Sequence, residues 1–171
     1  MCGIAGFFGR KQLEQNILNR TLILMKNRGP DFSKIYSNKV NDEININLLH
    51  SRLSIIDLNE RSNQPFEQDG NILIFNGEIY NYLELRKKLI NLGEKFSTDS
   101  DTEVLIKYYK FYGEECVKFF EGMWSFVIYD TNKKKIFASR DRFGEKPFFY
   151  YFNKDGFYFG SEIKFIKSLV N

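Results

Sequence analysis

Met123-Trp124-Ser125-Phe126-Val127-Ile128-Tyr129-Asp130 reads as a strand without a polar face. Successive side chains of a strand point to opposite sides. Trp124, Phe126 and Ile128 alternate with Ser125, Val127 and Tyr129, so both sides are largely apolar and both must be covered. Working outward, Lys135 to Arg140 completes a hairpin, and Phe148 to Tyr151 with Phe157 to Gly160 forms another. Upstream, Ser33 to Val40, Glu43 to Leu49 and Arg52 to Asp57 read as short strands, and Asn71 to Phe75 as one more, entering Asn76-Gly77. The helical patterns stand apart from the hairpins. Leu13, Ile17 and Leu24, with Leu18, Leu22 and Met25, recur at helical spacing up to the breaker Arg28-Gly29-Pro30-Asp31. Asn81 and Glu84 have capping-box spacing ahead of a Leu85, Leu89, Leu92 stripe that stops at Gly93. Ser100 and Glu103 repeat the signal before Val104, Tyr108 and Phe111, and that helix stops at Gly113. A short helix around Cys116 to Phe120 and a closing helix from Glu162 complete the pattern. Strands covered on both faces, with helices set apart from them, predict stacked sheets flanked by helices.

With 171 residues, 43% hydrophobic and 17% aromatic, the chain has the size and composition of one packed domain spanning 1–171. A net charge of +3 is spread over interspersed acids and bases, and the Lys133-Lys134-Lys135 run falls in a solvated turn. Neither feature points to nucleic acid. Two distant cysteines, Cys2 and Cys116, suit a reduced compartment better than a disulfide framework. No apolar run reaches the roughly 18–20 residues that would span a bilayer, and no basic region precedes the first apolar run. The expectation is a cytoplasmic protein.

The other end of the chain suggests the chemistry. Met1-Cys2-Gly3-Ile4-Ala5-Gly6-Phe7-Phe8-Gly9 puts a cysteine directly after the initiator methionine and at the head of an apolar strand. Without Met1, one residue would carry a thiol (pKa ~8.5) and a free α-amine (pKa ~7.7–8.0), and the amine could serve as base for its own nucleophile. Acyl transfer also needs donors for an oxyanion and groups that hold the substrate. Asn76-Gly77 offers a side-chain amide and an unhindered backbone N–H, although Asn-Gly after an apolar strand is equally a hairpin signal. Arg52 can pair with a carboxylate or be a surface charge. Asp101 can bind an ammonium or simply favour the first turn of a helix, and Glu78 is ambiguous in the same way. His50, the single histidine, reads as structural, and Cys116 as core. No zinc spacing, calcium loop or Gly-rich phosphate loop is present, so no metal and no cofactor are expected in this domain.

Taken together, CGIAGFFG at the start, RGPD, RLSIIDL, QPF, FNGEIYN, SDTEVL, EGMWSFVIYD, RDRFGEKP and FGSEIK follow one another in a fixed order. This series closely resembles the glutaminase domain of class II glutamine amidotransferases, nearest to the amino-terminal half of glutamine-hydrolysing asparagine synthetases. The likeness runs from Met1 to Leu169. It implies an amino-terminal nucleophile hydrolase, α+β, built as a four-layer αββα sandwich of two mainly antiparallel sheets. By position, Cys2 resembles the nucleophile and its α-amine the base. Asn76 and Gly77 match the oxyanion hole, Arg52 the residue that holds the glutamine α-carboxylate, and Glu78 and Asp101 the pair near its α-amine. RGPD and RDRFGEKP look like supporting turns around the site and toward a partner domain. Asn27 and Ser51 depart from the basic or bulkier residues frequent there, and Asp99 from small or polar ones, which bears on glutamine affinity rather than mechanism.

The resemblance implies hydrolysis of the glutamine side-chain amide, with ammonia delivered to a synthetase domain for asparagine synthesis. No Ser-Gly-Gly-type pyrophosphate loop occurs, so ATP and Mg are expected only in a synthetase domain absent from this chain, which would be part of a larger protein or a free-standing subunit. The expected partners are glutamine and that synthetase domain, with no nucleic acid and no membrane; a homo-oligomer is left open. Two alternatives remain at this stage: an amide donor for another acceptor such as a sugar phosphate, and a non-catalytic glutamine-sensing or interaction module if Met1 is retained.

Overall fold

The computed structural model describes residues 1–170. In chain order the elements are β1 (Gly3–Gly9), α1 (Gln15–Met25), β2 (Phe32–Lys39), β3 (Asn45–Arg52), β4 (Phe66–Gln68), β5 (Asn71–Ile79), α2 (Tyr82–Asn91), α3 (Asp101–Tyr112), β6 (Gly122–Asp130), β7 (Lys135–Arg140), β8 (Phe149–Asn153), β9 (Gly156–Gly160) and α4 (Ile163–Val170). Short 3₁₀ helices cover Glu60–Ser62 and Gly113–Phe119. One sheet has the order β2-β3-β1-β9-β8 and the other β4-β5-β6-β7, with antiparallel pairing throughout.

Three apolar layers hold four structural layers together. Ala5, Phe7, Leu49 and Tyr158 face α1 and α4. Ile4, Leu48, Ile72, Ile74, Val127 and Phe159 fill the space between the sheets. Leu73, Phe75, Trp124, Phe126 and Ile128 pack against α2 and α3. This is the αββα sandwich, and β6 shows why it forms. Trp124, Phe126 and Ile128 enter the outer core while Val127 and Tyr129 enter the central one, so the strand can only lie between two covered faces. Each large side chain fully buried in this way contributes roughly 1.5–3 kcal/mol.

Most predicted elements are present, with three corrections. The Arg52–Asp57 segment is not a strand: β3 ends at Arg52, and 53–59 is a loop that exposes Ile55 (67%) and Leu58 (74%). Arg52 is the cause, because its guanidinium gathers the carbonyls of Ile56, Asp57 and Asn59, which a strand would direct sideways to a neighbour. Asn76-Gly77 is not a turn either, since β5 runs through it to Ile79 with both residues paired to β6. Third, Asn81 occupies the N-cap of α2 without capping it; its side chain instead donates to Phe119 O (2.9 Å) and accepts from Glu121 N (3.1 Å). The Ser100 cap of α3 is made, and Gly93 and Gly113 close their helices at positive φ (93° and 56°), where glycine is unstrained.

Candidate active site

One end of the gap between the two sheets opens as a cleft of about 80 Å³. Cys2, Arg52, Asn76, Gly77, Glu78 and Asp101 all line it, so every candidate site residue from the sequence reaches the same place. They arrive on separate elements: Cys2 just ahead of β1, Arg52 at the end of β3, Asn76 to Glu78 along β5, and Asp101 at the head of α3. Met1 and Lys146 complete part of the wall.

The β5 edge explains why donors are free here. Phe66↔Leu73 is the last pair toward β4, so beyond it this edge of β5 has no neighbouring strand among the described residues. In an antiparallel ladder every second residue turns its N–H and C=O outward. The Trp124 carbonyl accepts from Asp141 N at 2.8 Å and its N–H donates to the Asp141 carboxylate at 3.2 Å. Gly77, opposite Trp124, is therefore in a non-hydrogen-bonded pair, and its N–H points off the free edge. Its neighbours in the same phase are satisfied by side chains. Phe75 N donates to Gln64 Oε1 (2.6 Å), His50 Nε2 meets Phe75 O (3.2 Å), and Ile79 N donates to Asp101 Oδ2 (3.0 Å). Gln64, from the QPF motif, thus replaces the strand that β4 fails to extend. Gly77 N–H stays open toward the cleft. Glycine is required there, because a Cβ would stand 2.3 Å from Met123 O and 2.7 Å from Trp124 Cα. Beside it Asn76 is 1% exposed, and its Nδ2 has no hydrogen-bond partner among the described residues. A buried unpaired donor costs roughly 1–3 kcal/mol. Two adjacent residues that line one cleft therefore carry uncommitted donors.

Cys2 is held by its main chain. Arg28 Nε donates to Cys2 O at 2.9 Å while Arg28 Nη1 pairs with Glu162 at 3.2 Å, so the RGPD and FGSEIK motifs meet behind the nucleophile candidate. Gly29 presses against the Ser51–Arg52 backbone, and Asp31 Oδ2 accepts from Ser54 N at 2.7 Å. The sulfur sits against the Leu53 peptide, whose N–H donates to Sγ (3.4 Å) and whose carbonyl faces the thiol (3.6 Å). Burial pushes the Cys2 thiol up from its usual pKa; the Leu53 N–H, the nearby amino terminus and Arg52 pull it back, and Asp101 opposes them. Leu53 could not be found from the sequence, because its contribution is backbone alone.

Arg52 is 5% exposed, and its four Nη hydrogens meet Asn59 O (3.1 Å), Asn63 Oδ1 (2.7 Å), Ile56 O (3.3 Å) and Asp57 O. Its fork thus builds the loop that bounds the cleft. Asp57 and Asp99 extend the framework: Asp57 Oδ2 accepts from Asp99 N (2.8 Å) and pairs with Arg61, while Asp99 pairs with Arg61 (2.7 Å) and Arg86 (3.5 Å). Asp99, an unusual residue in its motif, is accounted for as an anchor of this loop. Asp101 is 5% exposed; burial raises its pKa to about 6 despite the Ile79 N–H, and Glu78 adds to the rise.

His50 crosses from β3 to the Phe75 carbonyl of β5, and burial lowers its pKa to about 3. Facing a carbonyl, Nε2 carries the proton and the ring is neutral. The unfolded chain takes up this proton near pH 6.5, so His50 contributes stability above that pH and loses it as pH falls toward 3. Asp101 has the opposite sign: its raised value favours the fold below pH 3.8, and this is lost as pH rises through about 6. His50→Gln keeps a donor for Phe75 O but removes the proton uptake. Between pH 6.5 and 4, urea unfolding is expected to show the parent losing more stability than His50→Gln, by an amount on the order of a few kcal/mol. Equal losses would place His50 outside the acid response.

Four layers with a cysteine leading an inner strand define a class, the amino-terminal nucleophile hydrolase-like folds. Glutamine phosphoribosylpyrophosphate (PRPP) amidotransferase from B. subtilis superposes with a TM-score of 0.80 over 99% of this chain and 44% of its own, at 18% identity, a likeness of fold. A family model described as "Glutamine amidotransferase domain" matches residues 1–171, and the chain belongs to that family. It is 42% identical over 171 residues to asparagine synthetase [glutamine-hydrolyzing] 1 of Bacillus subtilis (strain 168), covering 96% of this chain and 26% of the relative. Asparagine synthetase [glutamine-hydrolyzing] 3 of the same organism is 39% identical over 173 residues, covering 97% and 27%. The chain thus spans about a quarter of the length of these relatives. Among the described residues, no helix is long and apolar enough to cross a membrane.

Proposed function

We propose that this domain hydrolyses the side-chain amide of L-glutamine and supplies the ammonia to a synthetase domain, of the same or a partner chain, for asparagine synthesis. The observation that carries this reading is the convergence of Cys2 with two uncommitted donors, Asn76 Nδ2 and Gly77 N–H, in one cleft. Once Met1 is removed, the Cys2 thiol gives its proton to its own α-amine and attacks the carboxamide carbon. Asn76 and Gly77 stabilise the oxyanion, and the ammonium returns a proton to the leaving ammonia. Water then resolves the γ-glutamyl thioester to glutamate. Asp101 and Glu78 supply negative charge for the substrate ammonium, and Arg52 positive charge for its carboxylate. This chemistry needs no metal or cofactor in the domain; ATP and Mg belong to the synthetase step. The asparagine assignment is supported by relatives that carry that name and are matched over nearly all of this chain. The activity also fits a cytoplasmic setting, where thiols stay reduced.

Intact mass combined with an ammonia-release assay tests the proposal. A Met1-free chain that releases no ammonia from glutamine, even with a synthetase partner supplied, would overturn it. A second reading rests on Met1 itself, whose side chain lines the cleft. In a chain that retains Met1 the Cys2 nitrogen is a peptide N–H and cannot act as base for its own thiol, and the domain would act as a glutamine-binding module.

For Arg52, both charge and fork count, because the loop carbonyls need a bidentate donor. Arg52→Ala and Arg52→Lys are both expected to raise the glutamine KM, by roughly 10-fold or more, with a smaller change in kcat. An unchanged KM in the alanine variant would remove Arg52 from substrate binding. An unchanged KM in the lysine variant alone would show that only its charge matters.

A further inference from the structure

The segment Arg140-Asp141-Arg142-Phe143-Gly144-Glu145-Lys146 commits two charged side chains to its own backbone. The Asp141 carboxylate accepts from Phe143 N (3.1 Å), Glu145 N (2.9 Å) and Lys146 N (2.9 Å), as well as from Trp124 N. Arg140 donates to Lys146 O (2.6 Å) and to Gly144 O. The knot they tie turns one side chain inward: Lys146 is 6% exposed and lines the cleft beside Cys2, Arg52, Glu78 and Asp101. Since Trp124 lies opposite Gly77, the Asp141 carboxylate also fixes Lys146 relative to the strand that carries Asn76 and Gly77.

A buried ammonium ordinarily has a carboxylate partner. Among the described residues, Lys146 Nζ meets none within 4.0 Å, and its polar contact is Met1 Sδ at 3.2 Å, a weak acceptor. Five bonds separate that sulfur from Cys2 N and span at most ~6.5 Å, so the ammonium lies within ~10 Å of the nitrogen that becomes the α-amine when Met1 is removed. Processing takes away the sulfur and leaves Lys146 beside the new terminus.

We propose that Lys146 is a positioning residue whose buried ammonium disfavours a second positive charge on the processed Cys2 terminus, keeping its α-amine in the neutral form that accepts the thiol proton. A free α-amine titrates near ~7.7–8.0 and is mostly protonated at neutral pH, where it cannot act as base. A like charge at ~10 Å or less lowers that value by roughly 0.3 to 1 unit, depending on the local dielectric, and favours the thiolate in the same sense. The other charges facing the terminus set the balance. Arg52, from the end of β3, acts with Lys146; Glu78 from β5 and Asp101 from the head of α3 act against both; Arg28, on the Cys2 carbonyl, is offset by Glu162. Lys146 is the second cation that matches the two acids.

The inference rests on Cys2 being the processed nucleophile, and its test does not require turnover. The Met1-free parent, Lys146→Met and Lys146→Arg are alkylated with iodoacetamide across pH 6–10 and followed by intact mass, Cys116 being fully buried. The glutaminase kcat/KM profile is measured in parallel. Lys146→Met is expected to move both the alkylation midpoint and the acid limb of kcat/KM to higher pH, by ~0.5 unit or more, and Lys146→Arg to restore the parent values. Coincident midpoints for the parent and Lys146→Met, or an arginine variant displaced as far as the methionine one, would overturn the proposal. Failure of the glutaminase reading has a different signature, a parent that alkylates normally and releases no ammonia.

Discussion

In the Met1-free chain, Cys2→Ala is expected to lower glutamine hydrolysis by at least ~10³-fold and leave the fold intact. The two halves of this expectation have separate grounds. Activity is lost because the proposed reaction forms a bond to Sγ, and Cys116, the other thiol, is buried in the outer core, where desolvation raises its pKa to about 12. It cannot substitute. The fold survives because Cys2 is positioned through its backbone: Arg28 holds Cys2 O, and β1 is paired on both sides from Gly3 and Ala5 onward, without help from the Cys2 side chain. Removing the sulfur forfeits only its weak contacts with the Leu53 peptide. The measurements are ammonia release and thermal unfolding on the same preparation. Undiminished turnover in Cys2→Ala would exclude this nucleophile, and a collapsed Tm would mean that the thiol is structural. Cys2→Ser should be far less active than the parent, since a hydroxyl is a much weaker nucleophile than a thiol, of which a few per cent is already thiolate near neutral pH.

Why this site could be read from the sequence, and where the reading stopped, follows from which physical terms are local. The strand alternation of Trp124 to Tyr129 and the helix stripes fix which faces are buried, and burial fixes the layers. The elements from β6 to α4 were legible for that reason. The loop after Arg52 was not. Leu53-Ser54-Ile55-Ile56 has strand-like composition, and only the three-dimensional reach of Arg52 to Ile56, Asp57, Asn59 and Asn63 turns it into a loop. The Asn81–Glu84 pair failed as a capping box for a similar reason, because Phe119 and Glu121, distant in sequence, compete for the Asn81 side chain.

The site divides along the same line. The residues that meet in the cleft were found through an ordered series of motifs, since Arg52, Glu78 and Asp101 taken singly are as easily surface charges or helix-start acids. Leu53 was invisible because its part is played by backbone. Lys146 stood inside RDRFGEKP in plain view, but nothing in its spacing says that Arg140 and Asp141 bend the chain so as to bury an ammonium beside Met1. Gln64 and His50 belong to this hidden group too: both clamp the Phe75 peptide and so set the direction of the two residues after it.

Those two residues carry the second large expected effect. Asn76→Leu should lower kcat by about 10²- to 10³-fold with a smaller change in KM, the signature of a donor that acts on charge developing in the transition state. The same substitution should stabilise the protein. Asn76 Nδ2 is buried with no partner among the described residues, and an apolar side chain of similar volume removes an unsatisfied group from the interior. A rise in unfolding free energy on the order of 1 kcal/mol is therefore expected together with the loss of rate. Few roles predict this pairing. A structural asparagine with a satisfied amide would destabilise on replacement, and a surface-like one would change nothing. Gly77 cannot be probed in the same way, because any Cβ there meets Met123 O and Trp124 Cα and would disturb the β5–β6 ladder itself. Asn76 is thus the position where the oxyanion assignment can be separated from the fold. Were Asn76→Leu to leave kcat intact, or to destabilise the chain as an ordinary buried polar deletion does, the open amide would need another explanation, and the Gly77 N–H would be left as the lone donor on an edge that β4 stops short of covering.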